Sequence, residues 1–233
     1  GVEIRDGWFD ESKKNYYAFA VMNRKIASQG IRNRLKLVAE RLNWFLDEGA
    51  KAMEQKDVVS VLSSYASGYM EAPNLQSLKA MLNVISQKIE NNKKGFYAPK
   101  QLTFESNARN LLNNISITII SGNKQTVKLS NVPTKPLAFK LSFNKGLTNI
   151  PLKGVPVKFE YVNGEGSLDE EVLTDSRGIA QSVVRKINAN NKTIHRISAE
   201  IDFKKIVPSA SKVSLQRFLD RIKNVKTEFI INV

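Results

Sequence analysis

His195 is the single histidine in 233 residues, and there is no cysteine. Imidazole is the side chain that changes charge between pH 5 and 8, and thiolates are soft nucleophiles and zinc ligands. One histidine and no cysteine leave no set of several His or Cys ligands for zinc, no thiol nucleophile and no disulfide. His195 lies in an alternating run with Ile194 and Ile197, which reads as a strand-surface or core histidine rather than a catalyst. Asp169, Glu170, Glu171 and Asp175 form the one acidic cluster of a basic region. Their spacing does not match the helix–loop–helix calcium loop, and a solvated turn is favoured over a loose strand-end calcium site. No phosphate-binding glycine loop, dinucleotide fingerprint or nucleophile elbow occurs. The chain is therefore expected not to be an enzyme, and to use no cofactor and no metal.

Charge is the other feature with chemical content. The formal net charge is +14, and it divides unevenly: residues 1–92 carry +2 and residues 93–233 carry +12. The split suggests a boundary near residue 93 and directs any anionic partner to the C-terminal part. The candidate anion contacts are Lys135, Lys140, Lys145, Lys153, Lys158, Arg185, Lys186, Arg196, Lys204 and Lys205. Lys140 and Lys158 project to one exposed sheet face or to opposite ones. The strand aromatics fall on inward positions, which disfavours nucleic acid; anionic glycans or lipid head groups are the more natural counterions. A solvated lysine-rich surface would also account for the charge.

Several elements must position these groups. Val2 and Ile4 alternate with Glu3 and Arg5, suggesting a short half-buried strand. Residues 10–15 read as a polar turn, and residues 16–22 as an aromatic-rich second strand. Two strands alone are marginal, so this hairpin needs helices or further strands against it, and residues before Gly1 could supply strands. Asn23 is a candidate N-cap. Ile31, Leu35, Val38, Leu42 and Phe45 then mark one helical face. Val58, Val61, Leu62, Tyr65 and Tyr69 mark a second helix capped by Asp57 and ended by Pro73. Leu75, Leu78, Leu82, Ile85 and Ile89 mark a third, stopped by residues 91–95. The stripes are expected to pack on one another as a helical bundle.

Beyond residue 95 the period becomes two. Residues 115–120, 137–143, 155–161, 171–174, 179–184, 193–201 and 229–233 read as short strands separated by turns, the pattern of an antiparallel sandwich. Leu137, Phe139, Leu141 and Phe143, and Val155, Val157, Phe159 and Tyr161, are the inward faces. Val213, Leu215, Phe218, Leu219 and Ile222 have helical spacing. They make a short amphipathic helix over 211–223, read as a cap on the sandwich in preference to a membrane-surface element.

Two resemblances follow from these residues. Trp8 with Tyr16-Tyr17-Ala18-Phe19-Ala20-Val21-Met22-Asn23-Arg24 resembles the signature near the end of the conserved module in the twenty-kilodalton outer-membrane lipoprotein family, which includes flagellar basal-body-associated relatives. Phe19 stands where that family usually has Leu. Residues 146–159, Gly164-Glu165-Gly166 and Thr174-Asp175-Ser176-Arg177-Gly178-Ile179-Ala180 resemble bacterial immunoglobulin-like domains of the invasin and intimin type. Those domains carry a Pro-x-x-Gly-x-Pro-Val-x-Phe strand and a Thr-Asp-x-x-Gly-x-Ala turn. The first resemblance implies the periplasmic face of an outer membrane, an anchor upstream of Gly1 and a scaffold role. The second implies a rigid spacer or binding module.

The expectation is thus an α+β, multidomain chain. Residues 1–94 would form a β-hairpin with three helices, and residues 95–233 an all-β, immunoglobulin-like sandwich with one inserted helix. The expected function is that of a non-enzymatic envelope scaffold or interaction protein, with envelope proteins as partners and Trp8, Tyr16 and Tyr17 as contact residues. The alternative is an anion-binding module for acidic polysaccharide, membrane surface or nucleic acid through the basic C-terminal domain. Oligomeric state is left open.

Overall fold

Alternating aromatic and aliphatic residues open the chain as β1 (Val2–Asp10) and β2 (Asn15–Met22), an antiparallel hairpin. Asp10 builds the turn: its Oδ1 accepts from the Ser12 N–H at 3.0 Å, the Ser12 hydroxyl at 2.6 Å and the Lys13 N–H at 3.2 Å. These bonds, the Ser12 hydroxyl foremost, hold the Asp10 carboxyl below its usual range. The computed structural model describes residues 2–86, 97–128, 131–146, 148–188 and 193–233, and the side chain of Lys145 is outside that description.

Helix α1 (Arg24–Glu54) starts where Asn23 Oδ1 accepts from Lys25 and Ile26 N–H, as an N-cap should. Helix α2 (Val58–Ile85) starts where Asp57 accepts from the Ser60 N–H at 3.1 Å. Pro73 does not end α2, contrary to the sequence expectation; the two expected helices on either side of it are one helix. Proline removes an N–H and frees the carbonyl four residues back. That carbonyl, on Tyr69, accepts from Gln101 Nε2 at 3.3 Å instead. Ile89 and residues 91–95, the expected end of a third helix, lie outside the described residues.

Helix α3 (Gln101–Asn113) was not anticipated in a region expected to be all-β; Phe104, Ala108, Leu111 and Leu112 are its buried face. Then follow β3 (Ile115–Ser121), β4 (Gln125–Thr126), β5 (Leu137–Lys145), β6 (Thr148–Pro151), β7 (Pro156–Asn163), β8 (Gly166–Leu168), β9 (Glu171–Leu173), β10 (Ile179–Ser182), β11 (Val184–Ile187) and β12 (Ile194–Ile201). A short helix α4 (Phe203–Ile206), the expected amphipathic helix α5 (Lys212–Arg221) and β13 (Lys226–Asn232) complete the chain.

The strands form a five-stranded sheet in the order β4-β13-β12-β7-β9, a four-stranded sheet in which β5 joins β10, β3 and β6, and the pairs β11-β8 and β1-β2. Phe139 of β5 meets Phe159 of β7 at 5.8 Å between ring centroids and Phe229 of β13 at 6.4 Å. All three rings are essentially inaccessible to water. Each is worth about 1.5–3 kcal/mol of burial, so this trio is the hydrophobic tie between the two larger sheets.

The chain divides into two compact units, Gly1–Trp44 with Glu71–Lys100, and Phe45–Met70 with Gln101–Val233. Both long helices therefore contribute to each unit. This partition differs from a cut between residues 94 and 95, which itself lies outside the described residues. Within the first unit Arg41 ion-pairs with Glu71 at 3.1 Å. Within the second, Gly49 lies against the Tyr65 ring, and Tyr69 packs on Phe218 of α5 at 5.1 Å. The architecture is mixed α and β: two strands, long helices, then many strands in sheets.

Candidate functional site

The hairpin places the three expected contact aromatics on two different faces. Trp8 stacks on Tyr17 at 5.5 Å and 18°. Tyr16 pairs instead with Phe9 at 4.8 Å. Antiparallel partners share a face, so the register assigns Val2/Met22, Ile4/Ala20, Gly7/Ala18 and Phe9/Tyr16 to one side. No charged residue interrupts that side. The other side carries Glu3/Val21, Asp6/Phe19, Trp8/Tyr17 and Asp10/Asn15.

Both sides face solvent. Val2, expected to be half-buried, is 68 % exposed and Ile4 is 70 % exposed; Tyr16 reaches 84 %. The expectation failed because alternation marks a two-sided ribbon without saying whether either side is covered. Sequence reading named Trp8, Tyr16 and Tyr17 but missed Ile4, Phe9, Phe19 and Met22. The signal was present: these residues alternate along the same two strands.

Among the described residues, the candidate anion contacts do not converge on one surface. Lys140 lies on β5 beside the inward Phe139, and Lys158 on β7 beside the inward Phe159, so they project from opposite outer faces. On the five-stranded sheet, Lys158, Arg196 and Lys226 share the outer face with Glu160, Glu200 and Glu228. Lys158 pairs with Glu160, and Arg196 with Glu228 at 3.6 Å. Arg185 pairs with Asp169 and Lys205 with Glu171, each at 2.8 Å. Lys135 and Lys153 are exposed in loops, the Lys135 backbone held by Gln125 at 2.8 and 3.0 Å. Lys186 is exposed on β11. The side chain of Lys145 lies outside the described residues.

Two of the ten do share a cleft. Lys158 and Lys204 line a hollow of about 450 Å³, together with Lys212 of α5 and the acidic Glu200 and Asp202. Its apolar lining includes Leu215 and Val207. The size suits a small ligand. Asp202 is committed to structure, since its Oδ1 accepts from the Lys204 N–H at 2.9 Å as the cap of α4. The Glu160 hydrogen bond raises the Lys158 pKa, which keeps that ammonium a fixed cation. Lys204 and Lys212 make no ion pair among the described residues. Lys212 was not among the candidate contacts, because nothing in sequence places α5 beside β7.

The acidic cluster is dispersed as well. Asp169 and Glu171 take the cations named above, and Asp175 pairs with Arg177 at 3.3 Å. Asp175 Oδ1 also accepts from Ile179 N–H at 2.9 Å, the chief reason its pKa is lowered. Among the described residues, no three His, Cys, Asp or Glu side chains gather as a metal site. His195 is buried on β12 with its ring edge toward Tyr161 at 6.2 Å, and its Nδ1 has no hydrogen-bond partner among the described residues.

No helix among the described residues is long and apolar enough to cross a membrane. Compared with models of known protein families and with curated proteins, the chain matches none.

Proposed function

We propose that this chain is a non-enzymatic interaction protein of the bacterial envelope, in which the β1–β2 hairpin makes protein–protein contacts and the strand-rich region acts as an immunoglobulin-like binding or spacer module. The observation that carries the reading is the hairpin face formed by Val2, Ile4, Phe9, Tyr16 and Met22, which is apolar throughout and open to solvent. Soluble monomers rarely leave such patches contiguous unless something docks there. The periplasmic, outer-membrane-associated setting rests on the lipoprotein-family resemblance of residues 8–24, and the immunoglobulin-like assignment on residues 146–180. Two sheets tied by Phe139, Phe159 and Phe229 support the latter.

The test is retention of envelope proteins from a detergent extract by the intact chain and by a variant carrying Ile4→Ser, Phe9→Ser and Tyr16→Ser. The reading expects specific envelope proteins with the first and their loss with the second. Recovery of only cytosolic proteins, or equal retention by both, contradicts it.

A second reading has its own observation, the cleft lined by Lys158, Lys204 and Lys212. It would make the basic region a binder of anionic glycan or lipid head groups. Affinity for a polyanion should then fall steeply with salt and drop on Lys204→Ala with Lys212→Ala. Salt-insensitive binding removes this reading.

A further inference from the structure

The two edges of the hairpin are built differently. Strand β1 carries Glu3, Arg5, Asp6 and Asp10, and its pairing register slips between Ile4 and Asp6. Charges and a bulge are what natural sheets use to stop an edge from recruiting another strand. Strand β2, Asn-Tyr-Tyr-Ala-Phe-Ala-Val-Met, carries no charge, no proline and no bulge over eight residues. Its outer edge has no partner strand among the described residues. One edge is defended and the other is open.

We propose that β2 pairs antiparallel with β2 of a second copy of this chain, giving a four-stranded, two-fold symmetric sheet. Three properties select a second copy as the occupant. First, β2 carries no charged residue, so pairing it with itself sets no like charges together. Second, two strands are marginal and three or more suffice, so joining two hairpins crosses that threshold without another protein. Third, the outer strands of the joined sheet are the two copies of β1, whose charges and bulge prevent further addition. The assembly closes as a dimer and does not grow into a fibre.

The two-fold axis stands perpendicular to the sheet, so residues of one face oppose residues of that same face. Tyr17, Phe19 and Val21 meet their counterparts on one side, and Tyr16, Ala18, Ala20 and Met22 on the other. Cross-strand aromatic and aliphatic pairs of this kind stabilise sheets. The apolar face of each hairpin becomes half of one wider surface. The inference deepens the protein-contact reading of the hairpin and rests on it.

Light scattering on the full chain should give twice the 26.2 kDa chain mass. Ala20→Glu, which charges the β2 edge, should return the mass to 26.2 kDa, whereas Ile4→Glu, its partner position on β1, should leave the dimer. The native chain has no cysteine, so a single introduced thiol can link only to another copy. Oxidised Phe19→Cys should run as a covalent dimer, and Asp6→Cys, its cross-strand partner, should not. Phe19 is exposed, so this variant does not threaten folding. A monomeric mass at the highest soluble concentration overturns the proposal, as does a dimer that survives Ala20→Glu or links equally through Asp6→Cys. If the chain is monomeric yet still retains envelope proteins through its hairpin, self-pairing fails while the broader contact reading stands.

Discussion

Gln101 donates through Nε2 to the Tyr69 carbonyl at 3.3 Å, the carbonyl that Pro73 has no N–H to satisfy. A side chain from the start of α3 thus repairs a gap in the backbone ladder of α2. Gln101→Leu should leave the carbonyl unpaired at a cost of about 1–3 kcal/mol. In a Pro73→Ala background the helix can supply its own N–H, and the cost should shrink. Urea unfolding of the four chains gives the coupling as a double-mutant cycle. Equal costs in both backgrounds would show that the proline and the glutamine are unrelated.

Thr174 is buried, and its hydroxyl works in both directions. It accepts from the Val155 N–H at 2.9 Å and donates to the Leu152 carbonyl at 2.6 Å. Thr174→Val keeps the shape and removes both bonds, with an expected loss of about 1–3 kcal/mol. Thr174→Ser keeps the hydroxyl and should retain more stability than Thr174→Val. Thermal unfolding separates the two outcomes, and a Ser variant weaker than the Val variant would reject the hydrogen-bond account.

Burial pushes the Tyr161 phenol up from its ordinary 10.0 to about 12. A group whose pKa is higher folded than unfolded contributes stability that is fully present below the unfolded value and lost as pH rises through the folded one. Stability should therefore decline between about pH 10 and 12 through this residue. Tyr65 adds to the same slope, because burial raises it too. Tyr161→Phe should flatten the alkaline limb measured by urea unfolding across that window. An unchanged limb would mean that Tyr161 ionises freely in the folded state.

Gly164 holds a backbone φ of +90° with the His195 ring directly against it. An alanine β-carbon there would overlap imidazole Nδ1 as well as strain the backbone. Gly164→Ala should cost more than about 2 kcal/mol. Gly154, at φ +72°, opens onto empty space, and Gly154→Ala should cost only the backbone penalty of about 1 kcal/mol. Similar melting temperatures for the two variants would place the His195 ring elsewhere.

What could be read from the sequence depended on how local its cause was. Strand β5 was legible because Leu137, Phe139 and Leu141 alternate and are all buried. Helix α5 was legible from the spacing of Leu215, Phe218 and Ile222, and both caps, Asn23 and Asp57, were legible from residue type. Helix α3 was missed although Phe104, Ala108, Leu111 and Leu112 follow helical spacing, because residues beyond 95 were expected to form strands apart from the helix over 211–223. The uninterrupted run of α2 could not be read, since the Tyr69 carbonyl that Pro73 leaves open is met by Gln101, far along the chain. The cleft was half legible. Lys158 and Lys204 were named for their charge, but Lys212 joins them only through tertiary packing, and alternation could not say that Lys158, Arg185, Arg196 and Lys205 would each pair with a nearby carboxylate.

Strand β4 runs parallel to β13, and Asn123 Oδ1 accepts from the Ile230 N–H at 2.9 Å across 107 positions of sequence. The Lys124 N–H donates to the Ile230 carbonyl at 2.7 Å, beside that bond. During synthesis the early segment must wait for its partner. Until residues 226–232 have left the ribosome, β12 keeps an open edge and Phe159 lacks its neighbour Phe229. Closure of the five-stranded sheet therefore waits on pairings of long sequence separation, which form slowly. A polypeptide stalled short of residue 226 would expose the core aromatics and an unpaired strand together, a natural substrate for chaperones and proteases.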